Sequence, residues 1–369
     1  MKKVRVLSIF GTRPEAIKMA PLIIEMNSRQ EFESIVCVTA QHRQMLDPVL
    51  KAFRIEPDFD LDIMIQNQSL FDITSKVLIK MKAVIEQVQP DIVLVQGDTT
   101  TAFASALAAY YCQTKIGHVE AGLRTWNKYS PFPEEVNRQM IGAIADFNFA
   151  PTVSNKEDLI RENKDEKTVF VTGNTVIDAL KTTVRDDYYH EIFDFVGNDR
   201  LVLLTAHRRE NLGKPMKNIF RAVKRIAERY SDVKVVYPVH LNPRVKEVAD
   251  EIFADSFKIK LIAPLDVIDF HNIMNKSYLI LTDSGGVQEE APSLGKPVIV
   301  LRDTTERQEG ILVGTAMLVG TNEEDVFNSV KELLENKTKY ESMSSAINPY
   351  GDGMASKRIA DILTNYFFV

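Results

Sequence analysis

Short runs of β-branched and other apolar residues alternate with stretches of helical spacing along most of this 369-residue chain. Val4–Phe10 precedes a helix that we expect to begin near Pro14, and residues 91–95 precede an Ala-rich helical segment at 99–111. Because parallel strands need a crossover connection, this alternation predicts βαβ units and parallel sheets. The pattern restarts at residues 201–204, so the sequence predicts an α/β protein with two doubly wound domains.

The length of the chain also favours two domains of similar size. The polar stretches at 172–174 and 185–200 are candidate boundaries. A Pro- and Gly-rich break at 348–353 precedes a last helix, which the spacing predicts over 354–367.

Charge and cysteine content exclude several classes of protein. The net charge is −6, so no overall field attracts nucleic acid or anionic lipid, and we expect neither as a partner. The cysteines, Cys37 and Cys112, form no disulfide framework. The start of the chain is unlike a signal peptide, and no apolar stretch approaches the ~20 residues that span a bilayer. We therefore predict a cytoplasmic protein without membrane association.

Polar clusters follow the predicted strands of the first half, where doubly wound sheets bind ligands. Gly11 to Lys18 combines a glycine turn with the cations Arg13 and Lys18 near a helix start, which suits a diphosphate; a plain βα turn with solvated charges is the alternative. Asp98 and Glu120 end two further strands. If these strands are neighbours, mutual repulsion raises the pKa of at least one acid, as in a general acid/base pair, although Asp98 alone also fits a helix N-cap.

A further motif of the first half pairs Glu134 with Arg138, four residues apart on one helix face. An exposed ion pair is the alternative to a functional site there.

The second half has a basic and a glycine-rich strand end. His207 is flanked by arginines, which lowers its pKa and keeps it available as a neutral base or donor. Gly285 and Gly286 would let backbone amides approach a phosphate, and Glu290 could bind ribose hydroxyls. The six histidines lack HExxH and HxH spacing, and GxSxG is absent, so the sequence predicts neither a metal site nor a serine hydrolase.

Together these motifs resemble the non-hydrolysing UDP-N-acetylglucosamine 2-epimerases, in order and over essentially the whole chain. The segments that carry the resemblance are GTRPEAIKMAPL, TAQHRQMLD, GDTTT, GHVEAGLRTWNKYSPFPEEVNRQ, TGNTVIDAL, HRREN, YPVHLNP, LTDSGGVQEEAPSLGKPV and NPYGDG. The resemblance implies a GT-B architecture, with two Rossmann-like domains facing a central cleft. The first would span 1–172 and receive the final helix, 354–369, and the second would span 173–353. A homodimer is usual in that family, and neither metal nor other cofactor is needed.

The resemblance also assigns residues. The catalytic candidates are Asp98, Glu120, Glu134 and His207. The nucleotide or diphosphate contacts are Arg13, Lys18, Arg138, His240, Phe270 on the uracil side, Ser284, Gly285, Gly286, Glu290 and Arg307. Some members bind a second UDP-N-acetylglucosamine as an activator, through positions matching Gln41, His42, Gln44 and Arg208; an arginine of those members is replaced around Asn67.

The implied reaction interconverts UDP-N-acetylglucosamine and UDP-N-acetylmannosamine. UDP leaves C1 to give 2-acetamidoglucal and then adds back after protonation on the other face of C2. The product would supply N-acetylmannosamine for cell-envelope polysaccharide. The alternatives are a hydrolysing epimerase, a GT-B glycosyltransferase and a non-catalytic sugar-nucleotide sensor.

Overall fold

The structure is a computed structural model that describes residues 2–40, 43–65 and 68–368, without the side chains of residues 43 and 44. It divides into two compact units. The N-terminal domain comprises the chain up to Thr182 and again from Tyr350 onward, and the C-terminal domain comprises Thr183–Pro349.

The N-terminal domain contains a parallel sheet with seven strands among the described residues, in the order β3-β2-β1-β4-β5-β6-β7. The strands are β1 (Val4–Phe10), β2 (Phe32–Val38), β3 (Phe59–Asp60), β4 (Ile92–Gln96), β5 (Lys115–Val119), β6 (Phe147–Ala150) and β7 (Val169–Val171). The helices are α1 (Arg13–Asn27), α2 (Arg43–Phe53), α3 (Leu70–Val88), α4 (Thr100–Tyr111), α5 (Glu134–Ile144), α6 (Val153–Arg161), α7 (Thr175–Thr183) and, at the end of the chain, α16 (Ala355–Phe368). Val93 pairs with Leu7 on one side and Ile116 on the other, so β4 lies in the centre.

The C-terminal domain repeats this plan with six strands in its described residues, ordered β10-β9-β8-β11-β12-β13. The strands are β8 (Arg200–Thr205), β9 (Val233–Pro238), β10 (Ile259–Ile262), β11 (Leu279–Thr282), β12 (Val298–Val300) and β13 (Ala316–Leu318). The helices are α8 (Ile192–Val196), α9 (Lys214–Arg229), α10 (Pro243–Phe253), α11 (Val267–Lys276), α12 (Gly285–Ser293), α13 (Gln308–Leu312), α14 (Glu323–Glu335) and α15 (Lys337–Ser344).

The apolar patterns of the sequence form the cores of these sheets. Every residue of β4 is buried, as expected for a central parallel strand covered on both faces. Helix α9 buries Met216, Ile219, Val223 and Ile226, which recur at helical spacing, and it leaves its basic residues toward solvent. The predicted α/β class with two doubly wound domains is therefore confirmed.

The structure differs from the predicted domain boundary. The chain passes into the C-terminal domain after Thr182 instead of residue 172, and it returns at Tyr350 instead of residue 354. The cause is Asp178 of α7, whose carboxylate accepts hydrogen bonds from the first amides of α16, at Ala355 (3.2 Å) and Ser356 (2.7 Å). These bonds hold α7 in the N-terminal domain.

Within the described ranges, every helix is too short or too polar to cross a lipid bilayer.

Candidate active site

In each sheet the strand order reverses between two central strands, β1 and β4 in the N-terminal domain and β8 and β11 in the C-terminal domain. Ligands of doubly wound folds bind beyond the carboxyl ends of the strands at such reversals. The turn after β1 contains Arg13 and the turn after β4 contains Asp98, while β8 leads to His207 and β11 to Ser284. The motifs singled out in the sequence therefore follow the strands at these two reversals.

The buried carboxylate of Glu15 joins the two turns at the reversal of the N-terminal sheet. Its Oε2 accepts the backbone N–H groups of Gly11 (3.0 Å) and Thr12 (2.7 Å), and its Oε1 accepts the hydroxyl of Thr99 (2.6 Å). Burial raises the pKa of Glu15, and these hydrogen bonds oppose that shift. The turn that begins α1 at Arg13 is thus fixed relative to the turn that precedes α4.

Glu120 follows β5 in a left-handed backbone conformation, with φ at +64°. Non-glycine residues held in this region are concentrated at functional sites. Its carboxylate is buried and lies 2.6 and 2.7 Å from Nζ of Lys18, and it also accepts hydrogen bonds from the amides of Gln96 and of Asn174 (3.1 Å). A cation and two amide donors on one carboxylate stabilise its ionised form.

Lys18 was expected at a diphosphate, but the structure pairs it with Glu120. The reason is the sheet order, which places the ends of β4 and β5 beside the first turns of α1. The expected diphosphate contact of Lys18 stays a prediction.

Asp98 lies at the end of β4, and Glu120 at the end of the adjacent β5, as predicted for an acid pair. Burial raises the pKa of Asp98; Arg138 and Lys18 oppose the shift, and the charge of Glu120 adds to it. The Nε atom of Arg138 is 3.6 Å from Oδ2 of Asp98, and the side-chain amide of Asn137 donates to the Asp98 carbonyl at 2.9 Å. Asp98 thus lies between a cation that favours its ionised form and an acid that favours its protonated form.

Helix α5 supplies two adjacent glutamates with different surroundings. Glu134, the predicted catalytic residue, begins the helix and is partly exposed. Glu135 is completely buried, accepts the backbone N–H groups of Thr125 and Trp126 at 3.0 Å each, and lies 3.3 Å from Nε of Arg138. Arg138 thus contacts Glu135, three positions before it, whereas the sequence had suggested Glu134, four positions before it.

In the C-terminal domain, Asp283 connects the turn after β8 with the turn after β11. Its Oδ2 accepts the backbone N–H groups of His207 and Arg208, both at 2.8 Å. The ring of His207 stacks on His240 with centroids 5.4 Å apart and planes at 10°. The pKa of His207 is lowered as predicted, but mainly by burial, with smaller contributions from His240 and Arg208.

The glycine turn after β11 begins α12, with Ser284 as the residue before its first turn. An added Cβ on Gly285 would lie 2.8 Å from the guanidinium carbon of Arg307, so the Arg307 side chain would have to shift. A Cβ on Gly286 would lie 3.2 Å from Oε1 of Glu290. The residues of this domain that were predicted to bind phosphate and ribose are therefore grouped around the start of one helix.

His271 lies beside the other oxygen of the Glu290 carboxylate. Its Nε2 is 3.5 Å from Oε2 of Glu290, and its Nδ1 contacts the hydroxyl of Thr183 at 2.7 Å. Phe270, the predicted uracil-side residue, precedes it on α11 and is partly buried.

Sequence reasoning missed three polar residues of these sites, namely Glu15, Asp283 and His271. Glu15 had a usable signal, since Thr12 followed three positions later by a glutamate has the spacing of a capping box. His271 had none, because a lone histidine in a helix is most often an ordinary buried residue.

Some of the predicted positions cannot be placed. Gln41, His42 and Asn67 lie outside the described residues, as does the side chain of Gln44. Arg208 is partly buried beside Asp283, with Nε 3.3 Å from the Asp283 carbonyl. Among the residues that are described, no three His, Cys, Asp or Glu side chains are grouped as metal ligands would be. That the chain uses no metal stays a prediction.

Comparison with known proteins links both sites to one family. Residues 24–364 match the family model described as UDP-N-acetylglucosamine 2-epimerase. The UDP-N-acetylglucosamine 2-epimerase of Bacillus subtilis (strain 168) is 61% identical over 367 residues, which cover 100% of this chain and 97% of the relative.

Solved structures of UDP-GlcNAc 2-epimerases are also similar to this chain. The UDP-GlcNAc 2-epimerase of Neisseria meningitidis bound to UDP-GlcNAc has a TM-score of 0.91 and 46% identity, covering 98% of this chain and 100% of that one. The enzyme of Methanocaldococcus jannaschii in complex with UDP-GlcNAc and UDP has a TM-score of 0.82 and 35% identity, with the same coverage. These likenesses confirm the predicted GT-B type of fold and the enzyme class, while a central cleft stays a prediction. The chain therefore belongs to the UDP-N-acetylglucosamine 2-epimerase family.

Proposed function

We propose that this chain reversibly epimerises UDP-N-acetylglucosamine to UDP-N-acetylmannosamine at C2, by eliminating UDP to 2-acetamidoglucal and adding it back, and that the product supplies envelope polysaccharide. The relatives' names and the UDP-GlcNAc bound to the Neisseria enzyme support the substrate. The observation that carries the mechanism is the pair Asp98 and Glu120, two acids on adjacent strand ends, each beside its own cation.

The chemistry requires such a pair. The proton on C2 of the sugar is not next to a carbonyl group, so its direct removal is very unfavourable. When UDP leaves C1, the sugar gains oxocarbenium character, which acidifies the C2 proton. A carboxylate near the ring can stabilise that positive charge, and a second acid–base group can remove and return the proton.

The N-terminal domain fits this need. The Glu120 carboxylate, which is held by three donors, suits the stabilisation of that positive charge. Asp98 has a raised pKa, so it is the better candidate to gain and lose a proton. Glu134 is a third carboxylate, placed at the start of α5.

The C-terminal domain fits the leaving group. Backbone N–H groups at the start of α12, with no side chain on Gly285 or Gly286, suit a diphosphate. His207 provides a hydrogen-bond donor or a cation for the charge that develops as UDP departs. Glu290, which lies beside His271, suits the ribose hydroxyls.

Incubation with UDP-N-acetylglucosamine in deuterated water tests the proposal. We expect intact UDP-N-acetylmannosamine with deuterium at C2, and deuterium in the recovered substrate, because the proton is exchanged in the intermediate. Free N-acetylmannosamine with UDP would instead identify a hydrolysing enzyme. Turnover that depends on an acceptor sugar would identify a glycosyltransferase, and UDP binding without exchange a sensor.

A further inference from the structure

Asp283 is a fully buried carboxylate for which the mechanism above has no step. Its Oδ2 atom accepts three hydrogen bonds, from the backbone N–H groups of His207 and Arg208 and from the side-chain amide of Asn211 at 3.0 Å. One oxygen of the carboxylate therefore accepts all three of these hydrogen bonds.

The second oxygen of Asp283 has a different environment. Oδ1 lies 3.4 Å from Nδ1 of His207, and it has no hydrogen-bond partner among the described residues. A buried carboxylate oxygen without a donor is costly. A proton on Nδ1 of His207 would supply that donor after a small rotation of the ring.

We propose that Asp283 is a positioning residue that holds His207 in the tautomer protonated at Nδ1, so that Nε2 is free to take up a proton when a diphosphate binds. Only the diphosphate in this statement rests on the proposed function. The proton comes from solvent, stays on Nε2 while the diphosphate is bound, and returns to solvent on release. A carboxylate on one ring nitrogen commonly fixes the function of the other.

The charges around His207 favour such a response. Burial lowers its pKa, His240 and Arg208 act in the same direction, and Asp283 opposes them. Together these surroundings favour the neutral ring in the free protein. The negative charge of a bound diphosphate adds to that of Asp283 and favours the imidazolium form.

The substitution Asp283→Asn separates this role from cross-linking. Three N–H donors converge on Oδ2, so the carbonyl oxygen of the new amide must occupy that place. Its NH2 group then faces Nδ1 of His207 and donates to it, which requires the imidazole proton to move to Nε2. Asp255→Asn is the matched control, because Asp255 is exposed and pairs with Lys224 in the same domain.

Long-range 1H–15N spectra of the full chain, labelled at its six histidines, report the tautomer directly. The signal of His207 is assigned by its loss in His207→Gln. We expect the proton on Nδ1 in the wild type and in Asp255→Asn, and on Nε2 in Asp283→Asn. A wild-type proton on Nε2, or the same tautomer in Asp283→Asn, overturns the proposal, and the wild-type result decides even if the variant does not fold.

Calorimetry of UDP binding in two buffers of different ionisation enthalpy tests proton uptake. We expect the wild type to take up about one proton per UDP and Asp283→Asn to take up none. The affinity of Asp283→Asn for UDP should be about 10-fold weaker than that of the wild type, which is the scale of one charged hydrogen bond. Uptake that persists in Asp283→Asn overturns the proposal. Loss of the deuterium exchange alone, with the expected tautomers, would count against the proposed epimerisation and leave the role of Asp283 standing.

Discussion

Removing the positive charge beside Glu120 should destabilise the protein in a way that depends on pH. Lys18→Met deletes the cation that lies 2.6 Å from this carboxylate. The side chain of Glu120 is 5% exposed, and that of Lys18 is 13% exposed. Breaking a buried ion pair by removing one partner costs about 3–5 kcal/mol. The amides of Gln96 and Asn174 still donate to Glu120, so we expect about 3 kcal/mol, the lower end of that range.

Urea unfolding followed by circular dichroism measures this loss at pH 5 and pH 8. Burial tolerates the protonated carboxylic acid better than the carboxylate, so the deficit of Lys18→Met should shrink at pH 5 and be largest at pH 8. The double variant Lys18→Met/Glu120→Gln carries no charge at either of these two positions, and it should recover part of the stability at pH 8. Lys82→Met is the control, since Lys82 forms an exposed pair with Glu86 and should cost less than about 1 kcal/mol.

Two results would refute this reasoning. If Lys18→Met lost no more stability than Lys82→Met, the pair would behave as an exposed one. If the deficit of Lys18→Met did not change with pH, or if the double variant were no more stable than the single one, uncompensated charge on Glu120 would not be the cause.

Two further predictions concern the reaction itself. Burial raises the pKa of Asp98. An unperturbed aspartate titrates at about pH 4, so the pH profile of kcat should bend above that value. Turnover should fall toward acid pH if Asp98 acts in its ionised form, and toward alkaline pH if it acts in its protonated form. Asp98→Asn should abolish the bend and the C2 deuterium exchange while UDP affinity measured by calorimetry is retained, and a surviving bend would remove Asp98 from the mechanism. Gly285→Ala places a Cβ 2.8 Å from the guanidinium carbon of Arg307 and should weaken UDP binding about 10-fold, or 1.4 kcal/mol; unchanged affinity would mean that UDP binds away from this turn.

The fold was predictable because its signals are local. Strand β1 has the predicted bounds, Val4–Phe10, since its largely apolar run ends at the glycine turn that begins with Gly11. The strands β3 and β13 were not predicted. They have two and three residues, which is too short for any periodic pattern to identify.

The candidate site was predictable only in part. That Asp98 and Glu120 end adjacent strands was a correct inference from their positions after apolar runs. The partner of Glu120 could not be predicted in this way. Lys18 lies 102 residues away, and the contact exists only because of the sheet order. From the sequence, a lysine beside a helix start predicts a contact with a bound anion, and nothing local indicates that it also pairs with a carboxylate of the chain.

Both domains join the turns at their strand-order reversal through a buried carboxylate, but the two carboxylates differ in what they leave available. Glu15 uses both oxygens, one for backbone amides and one for Thr99, so it can only hold the turns in place. Asp283 makes its cross-links through one oxygen and keeps the other beside the His207 ring. A buried oxygen without a donor is unstable unless a nearby group can supply a proton, and an imidazole is the side chain whose proton shifts most readily near neutral pH. The same structural device thus yields a rigid turn in one domain and a histidine of defined protonation in the other.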